Sequence, residues 1–122
     1  MSMRAIKITT DAGITEIEIT GKDIEQQNDC IHEHLGGYFD IVRLGRDACL
    51  LVDDEGLMKG LPTNVLAMMI SGYPMLVGTA LIVGTQETPD GDVFCDAPER
   101  FVKFAREMQQ ADKTWKEETS NG

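Results

Sequence analysis

The chain has 122 residues, 42% hydrophobic and 26% charged, which is ordinary globular usage and enough chain for one hydrophobic core but not two. Its 21 acidic residues outweigh 11 basic ones, and the formal charge of -10 opposes attraction to nucleic acid or to an anionic membrane. The longest apolar run, residues 75–83, is far short of the roughly 20 residues a spanning helix needs, and the amino terminus lacks the apolar block of a signal peptide. A cytoplasmic protein with no direct nucleic-acid partner and no membrane partner is expected.

Residues 4–9 and 14–20 alternate with period two, placing Ala5, Ile6 and Ile8, then Ile14, Ile17 and Ile19, around Asp11-Ala12-Gly13, and predict a hairpin. Thr20 with Asp23 three residues on resembles a helix start. Ile24, Gln27, Ile31 and Leu35 then share one stripe, so a helix is predicted over 23–35, ended by Gly36-Gly37 where a left-handed cap is easily adopted. Residues 38–44 and 48–53 are rich in β-formers and separated by Gly45-Arg46-Asp47, a second hairpin. Asp53-Asp54-Glu55-Gly56 turns the chain, with Gly56 free to take positive φ and the carboxylates in solvent.

Leu57 and Met58 extend that edge briefly, Pro62 suits the first turn of a helix reaching about residue 70, and Ser71-Gly72-Tyr73-Pro74 breaks it. Residues 76–84, almost continuously Val, Ala, Leu and Ile, predict a strand buried on both faces. A loop over 85–92 and a short returning strand at Val93-Phe94 follow. Asp96, Pro98 and Glu99 mark the start of a last, amphipathic helix, in which Phe101, Phe104, Ala105, Met108, Ala111, Asp112 and Trp115 recur at helical spacing. Residues 116–122 read as a polar, frayed tail. The prediction is a single α+β domain over 1–115: a mixed or antiparallel sheet of five or six strands with three helices packed against it.

Candidate chemistry is sparse. Cys30, Cys49 and Cys95 fit neither a disulfide framework nor Cys-x-x-Cys knuckles, so reduced thiols are expected, with Cys49 a small buried hydrophobe. Residues 30–34 gather both histidines beside a thiol, yet on a helix Cys30 and His34 share a face while His32 points about 160 degrees away. That leaves two ligands where a zinc site needs three or four. With both histidines in one helix, Ser71 and Thr63 have no visible base. Asp53, Asp54 and Glu55 could converge on a hard cation, but Asp-Asp-Glu-Gly after a strand is turn chemistry first. No catalytic residue, metal or cofactor is therefore expected. Met58, Met68, Met69 and Met75 could form an adaptable binding surface, though core filling is the commoner use. Residues 101–108 are assigned to the core, and Trp115, with Met108, is the candidate interface with a partner or a second copy.

Leu35-Gly36-Gly37, residues 38–44, Val52-Asp53-Asp54-Glu55-Gly56, Leu61-Pro62-Thr63-Asn64, Ala67 and residues 77–84 together resemble the family numbered 3846 among domains of unknown function. The resemblance covers about residues 31–85 and leaves the first hairpin and the last helix outside. It implies a setting in bacteriophages, other mobile elements and the bacteria that carry them, and no activity. At the Leu-Pro-x-Asn step, Asn64 reads as a helix-start residue whose amide satisfies a free backbone donor. The functional alternative makes it the anchor of a shallow pocket with Arg43, Arg46, Lys59 and Thr63, whose cations would clamp an anionic ligand. The expected function is that of a non-enzymatic accessory protein of phage or mobile-element type, binding a host protein in the bacterial cytoplasm with a counter-defence role. The alternative is sequestration of a nucleotide-like anionic signal.

Overall fold

A computed structural model describes the backbone of residues 2–120 and the side chains as far as Thr114. Along the chain run β1 (Ser2–Ile8), β2 (Ile14–Thr20), α1 (Ile24–Leu35), β3 (Phe39–Arg43), β4 (Ala48–Asp53), α2 (Val65–Ser71), β5 (Ala80–Thr88), β6 (Gly91–Cys95) and α3 (Glu99–Ser120). Every strand pairing is antiparallel, in the order β2-β1-β5-β4-β3. β6 folds back on β5: Gly84 faces Ala48 of β4 on one side and Cys95 of β6 on the other, so β6 continues the edge that β1 occupies over residues 80–82.

Alternation along the strands sorts the core into two layers. Ile6, Ile8, Val42, Leu50, Val52 and Ile82 face α2 and α3, where Ala67, Val102 and Ala105 meet them. Met3, Ala5, Ile19, Cys49, Leu51, Leu81 and Val83 face α1 through Ile31 and Leu35. The protein is thus an α+β domain of three layers, with one helix on one face of a six-stranded sheet and two on the other. β4 and the first half of β5 read as unbroken apolar runs because both their faces are covered.

Asp23 is the cap of α1, its side chain accepting from the Gln26 N–H at 2.9 Å, and the helix ends on Gly36 at φ 87. Further along, the sequence expectations need revision. α2 begins at Val65, later than Pro62, because Thr63 is held in a bridge to Val77 and the Pro62 carbonyl accepts from the Gly78 N–H. β5 starts at Ala80 and runs on to Thr88, since β6 supplies a partner for residues predicted as loop. Leu57 and Met58 lie in a run of turns and extend no strand. The Asp96 carboxylate turns to β1, accepting from the Arg4 N–H at 2.8 Å, and α3 opens at Glu99 and continues past the predicted end to Ser120.

α3 is anchored over its first half. Phe101, Phe104 and Met108 are half-buried against the core, while Ala111 and Asp112 of the predicted stripe are exposed. Arg100 donates to both carboxylate oxygens of Asp47 at 2.7 Å, Arg106 to Glu16 at 2.6 Å, and the Gln109 amide to the Ile14 carbonyl at 2.8 Å. No helix of the described residues is long and apolar enough to cross a membrane.

Candidate functional site

The acidic turn leaving β4 is less solvated than its sequence suggests. Asp54 and Glu55 are exposed, but the Asp53 side chain is only 2% exposed. Lys59, brought back by the turn, donates to its Oδ2 at 2.7 Å, and the Glu55 N–H donates to Oδ1 at 2.9 Å. Burial pushes the Asp53 carboxyl up, yet these hydrogen bonds outweigh it and hold the group below its ordinary range. The Asp53 hydrogen bond in turn raises Lys59. Lys59 Nζ also donates to the Gly36 carbonyl at 3.1 Å, placing a cation at the carboxyl end of α1. One lysine thereby ties α1, β4 and the turn together. Gly56 does not take the positive φ expected of it; that conformation falls to Gly60 at φ 68. A Cβ on Gly56 would stand 2.7 Å from Val77 Cγ2, so close approach of the segment entering β5 is what requires glycine there.

The five residues proposed to clamp an anion do not come together. Arg43 ends β3, where it donates to Thr85 Oγ1 and pairs with Asp92, both at 3.3 Å. Arg46 lies in the β3–β4 turn, its carbonyl accepting from Thr85 at 3.2 Å. Lys59 is at the other end of that hairpin, beside Asp53 opposite Phe39. Four residues of strand separate the ends, about 13 Å at 3.3 Å per residue. Thr63 is exposed in its bridge to Val77. Asn64 is 1% exposed and fully engaged: Oδ1 accepts from the Ala67 N–H at 3.1 Å, and Nδ2 donates to the carbonyls of Gly78 at 2.8 Å and Ile8 at 3.0 Å. It is the helix-start residue of the first reading, with no polar group left for a ligand.

The histidines diverge. Lys7 donates to His34 Nδ1 at 3.1 Å, and burial followed by the Lys7 charge lowers the pKa of that ring. His32 packs edge-on against Tyr38 at 5.0 Å and beside Phe39 at 5.6 Å. Burial pushes the Cys49 thiol up to about 11. Among the described residues no three His, Cys, Asp or Glu side chains are grouped to hold a metal ion.

What the molecule does present is apolar surface. Met68 packs on the core, but Met58, Met69 and Met75 are exposed, contrary to the core-filling expectation, together with Leu57, Val65 and Tyr73. Leu57, Tyr73 and Met75 line a cleft of about 310 Å³ that reaches Ile41 and Val42 of β3. A second cleft, of about 630 Å³, opens on the α1 face among Met3, Ile24, Phe39, Ile41, Val93 and Phe94, with Asp92 and Asp96 at its border. It was not legible in the sequence, because it exists where α1 leaves the β3 and β6 side of the sheet uncovered. Of the interface pair expected on α3, Met108 is half-buried on the core, and the Trp115 side chain lies outside the described residues.

A family model described as Domain of unknown function (DUF3846) matches residues 3–110. The chain belongs to this family. The match is wider than the resemblance read from residues 31–85: the β1–β2 hairpin and the anchored half of α3 are parts of the DUF3846 unit, not additions to it. Within that unit lie the Asp53–Lys59 bond, Asn64 and both clefts, whereas Trp115 falls beyond it. No curated protein and no solved structure matches.

Proposed function

We propose that this DUF3846 protein is a non-enzymatic accessory protein of phage or mobile-element type that binds a host protein in the bacterial cytoplasm, with a counter-defence role. The observation that carries the reading is the exposed apolar stretch from Leu57 to Met75. Of the nine large hydrophobic residues exposed among the described ones, six (Leu57, Met58, Val65, Met69, Tyr73 and Met75) fall there. Met and Tyr are the side chains that interfaces favour, and flexible thioethers repack against varied surfaces. The competing reading, capture of a nucleotide-like anion, has no observation in its favour, since Lys59 and Asn64 are internally bonded and Arg43 stands at the far end of the hairpin.

The test is affinity isolation of tagged protein from host cells, comparing wild type with Met58→Glu/Met69→Glu and with Lys103→Glu on α3. Exposed substitutions of this kind typically change stability by about 0.5 kcal/mol or less, and far-UV circular dichroism of each variant checks that it is folded. A stoichiometric host protein retained by wild type and Lys103→Glu but lost from the methionine variant is expected. Absence of any stoichiometric protein across several salt concentrations, or equal retention by all three, would overturn the reading.

A further inference from the structure

β3 is the last strand of the sheet, and its ladder with β4 fixes which of its backbone groups are spent. The Leu44 N–H donates to the Ala48 carbonyl and the Asp54 N–H to the Tyr38 carbonyl, both at 3.1 Å and both between directly opposed residues. Hydrogen-bonded pairs alternate in an antiparallel ladder. Residues 38, 40, 42 and 44 therefore point their N–H and C=O groups at β4, and Phe39, Ile41 and Arg43 point theirs outward. Among the described residues nothing pairs with that edge. Apolar side chains stand beside charged ones there: Tyr38 and Ile41 are exposed together with Asp40 and Arg43, and Leu57, Tyr73 and Met75 border them. Edges of this kind are usually blunted by shortness, proline, lysine or other charges; β3 has no proline or lysine, but it is only five residues long and carries Arg43 and, on the face of the buried Val42, Asp40.

We propose that β3 pairs with β3 of a second copy, antiparallel about a two-fold axis at Ile41, joining two six-stranded sheets into one. The outward parity of residues 39, 41 and 43 permits a few registers. One centred on Asp40 sets two carboxylates face to face. The register centred on Ile41 sets Ile41 against the partner's Ile41, Asp40 against the partner's Val42, and Arg43 against the partner's Phe39.

Charge selects a second copy over an arbitrary peptide. One end of β3 leads to the exposed Arg46, while its other end adjoins the exposed Asp54 and Glu55 through the Phe39–Asp53 pairing; Arg43 and Asp53 are already paired with Asp92 and Lys59. Antiparallel pairing brings the basic end of each copy alongside the acidic turn of the other, twice per dimer. The opposite edge of the sheet, β2, has the reverse character: a copy paired about Ile17 would oppose Glu16 to the partner's Glu18. The overall charge of -10 per chain does not forbid the pair, because repulsion beyond about 8 Å is largely screened at physiological salt. Leu57, Tyr73 and Met75 belong both to the stretch read as host-binding and to the border of this edge, so the two readings are separated by their variants: Ile41→Pro reads the oligomeric state, and Met58→Glu/Met69→Glu reads host capture.

Light scattering during size exclusion, up to high micromolar concentration, is expected to give twice the 13.5 kDa chain mass. Ile41→Pro removes only an outward N–H, which an edge strand tolerates, and should yield a monomer with unchanged far-UV circular dichroism. Register is read separately by Ile41→Cys. Directly opposed hydrogen-bonded residues have Cα atoms about 5.5 Å apart, within disulfide reach. Mild oxidation should therefore cross-link Ile41→Cys at least tenfold faster than Arg43→Cys, whose two copies would be displaced by about 13 Å along the strand. A wild-type protein that stays monomeric, a dimer that survives Ile41→Pro, or Arg43→Cys cross-linking as fast as Ile41→Cys would overturn the proposal.

Discussion

Replacing Asn64 by alanine removes one oxygen and one amide that serve three elements at once. Oδ1 caps α2 on the Ala67 N–H, and Nδ2 bridges the carbonyl of Ile8, at the end of β1, to that of Gly78, just before β5. The cap contributes about 1 kcal/mol. Each donor bond contributes about 1 kcal/mol net, rising toward 2 where the carbonyl is left dry. The sum for Asn64→Ala is about 3–5 kcal/mol. At a urea m-value of about 1.5–2 kcal/mol/M this lowers the denaturation midpoint by roughly 2 M. Asn64→Ser, which keeps a capping oxygen, should recover about 1 kcal/mol of the loss. Asn64→Asp keeps the cap as well but turns a donor into an acceptor facing two carbonyls, so at neutral pH it should be at least as damaging as alanine. Because the buried aspartate would have a raised pKa, its deficit against wild type should shrink as pH falls and the carboxyl is protonated. Urea titrations followed by circular dichroism check all three. A loss below about 1 kcal/mol for Asn64→Ala, or an Asn64→Asp variant as stable as wild type at pH 7, would refute the assignment of Asn64 as an internal bracket and reopen its use as a ligand anchor.

Two further outcomes follow from the turn after β4. Gly56→Ala places a Cβ 2.7 Å from Val77 Cγ2 and 3.3 Å from the Asp53 carbonyl; the displacement should cost about 1–3 kcal/mol, read as a lower urea midpoint, whereas Gly60→Ala, with open space around it, should lose only about 1 kcal/mol of backbone strain. Asp53 has a folded pKa below its unfolded one, so the unfolded state binds more protons in acid. Its stabilisation is full above the ordinary carboxylate range near pH 4 and is lost as pH falls through the depressed value. The urea midpoint of wild type should drop over that window, and Asp53→Asn should drop less steeply. Some slope should persist in Asp53→Asn, because Arg106 and Arg100 similarly lower Glu16 and Asp47.

The division between what could be read along the chain and what could not follows the range of the interactions. Ile14 to Thr20, Ala48 to Asp53 and the cap at Gly36 are encoded by neighbours: alternation, a β-branched run, a glycine after an amphipathic stripe. Each was legible with little error. The β5–β6 segment was not, because Gln86 and Glu87 look like loop until Val93 and Asp92 are placed opposite them. Asp53 is the sharper case. A carboxylate in Asp-Asp-Glu-Gly belongs in water by local chemistry, and only the return of Lys59 and the end of α1 at Gly36 make its burial favourable. The same long-range bonding bears on the supposed anion pocket: Lys59 is bonded to Asp53, Asn64 to the carbonyls of Ile8 and Gly78, and Arg43 to Thr85 and Asp92, at separate places on the sheet and its turns. The exposed β3 edge has the opposite origin. Asp40 and Arg43 set Phe39-Asp40-Ile41-Val42-Arg43 apart from the unbroken apolar runs of β4 and β5, but they do not say which edge of the sheet it forms. Its position at the end of the order β2-β1-β5-β4-β3 converts it into a surface with three residues of unspent backbone. Asp53, Lys59 and Asn64 look reactive in the sequence and are bonded inside the fold, whereas the outward backbone groups of Phe39, Ile41 and Arg43 have no pairing strand among the described residues.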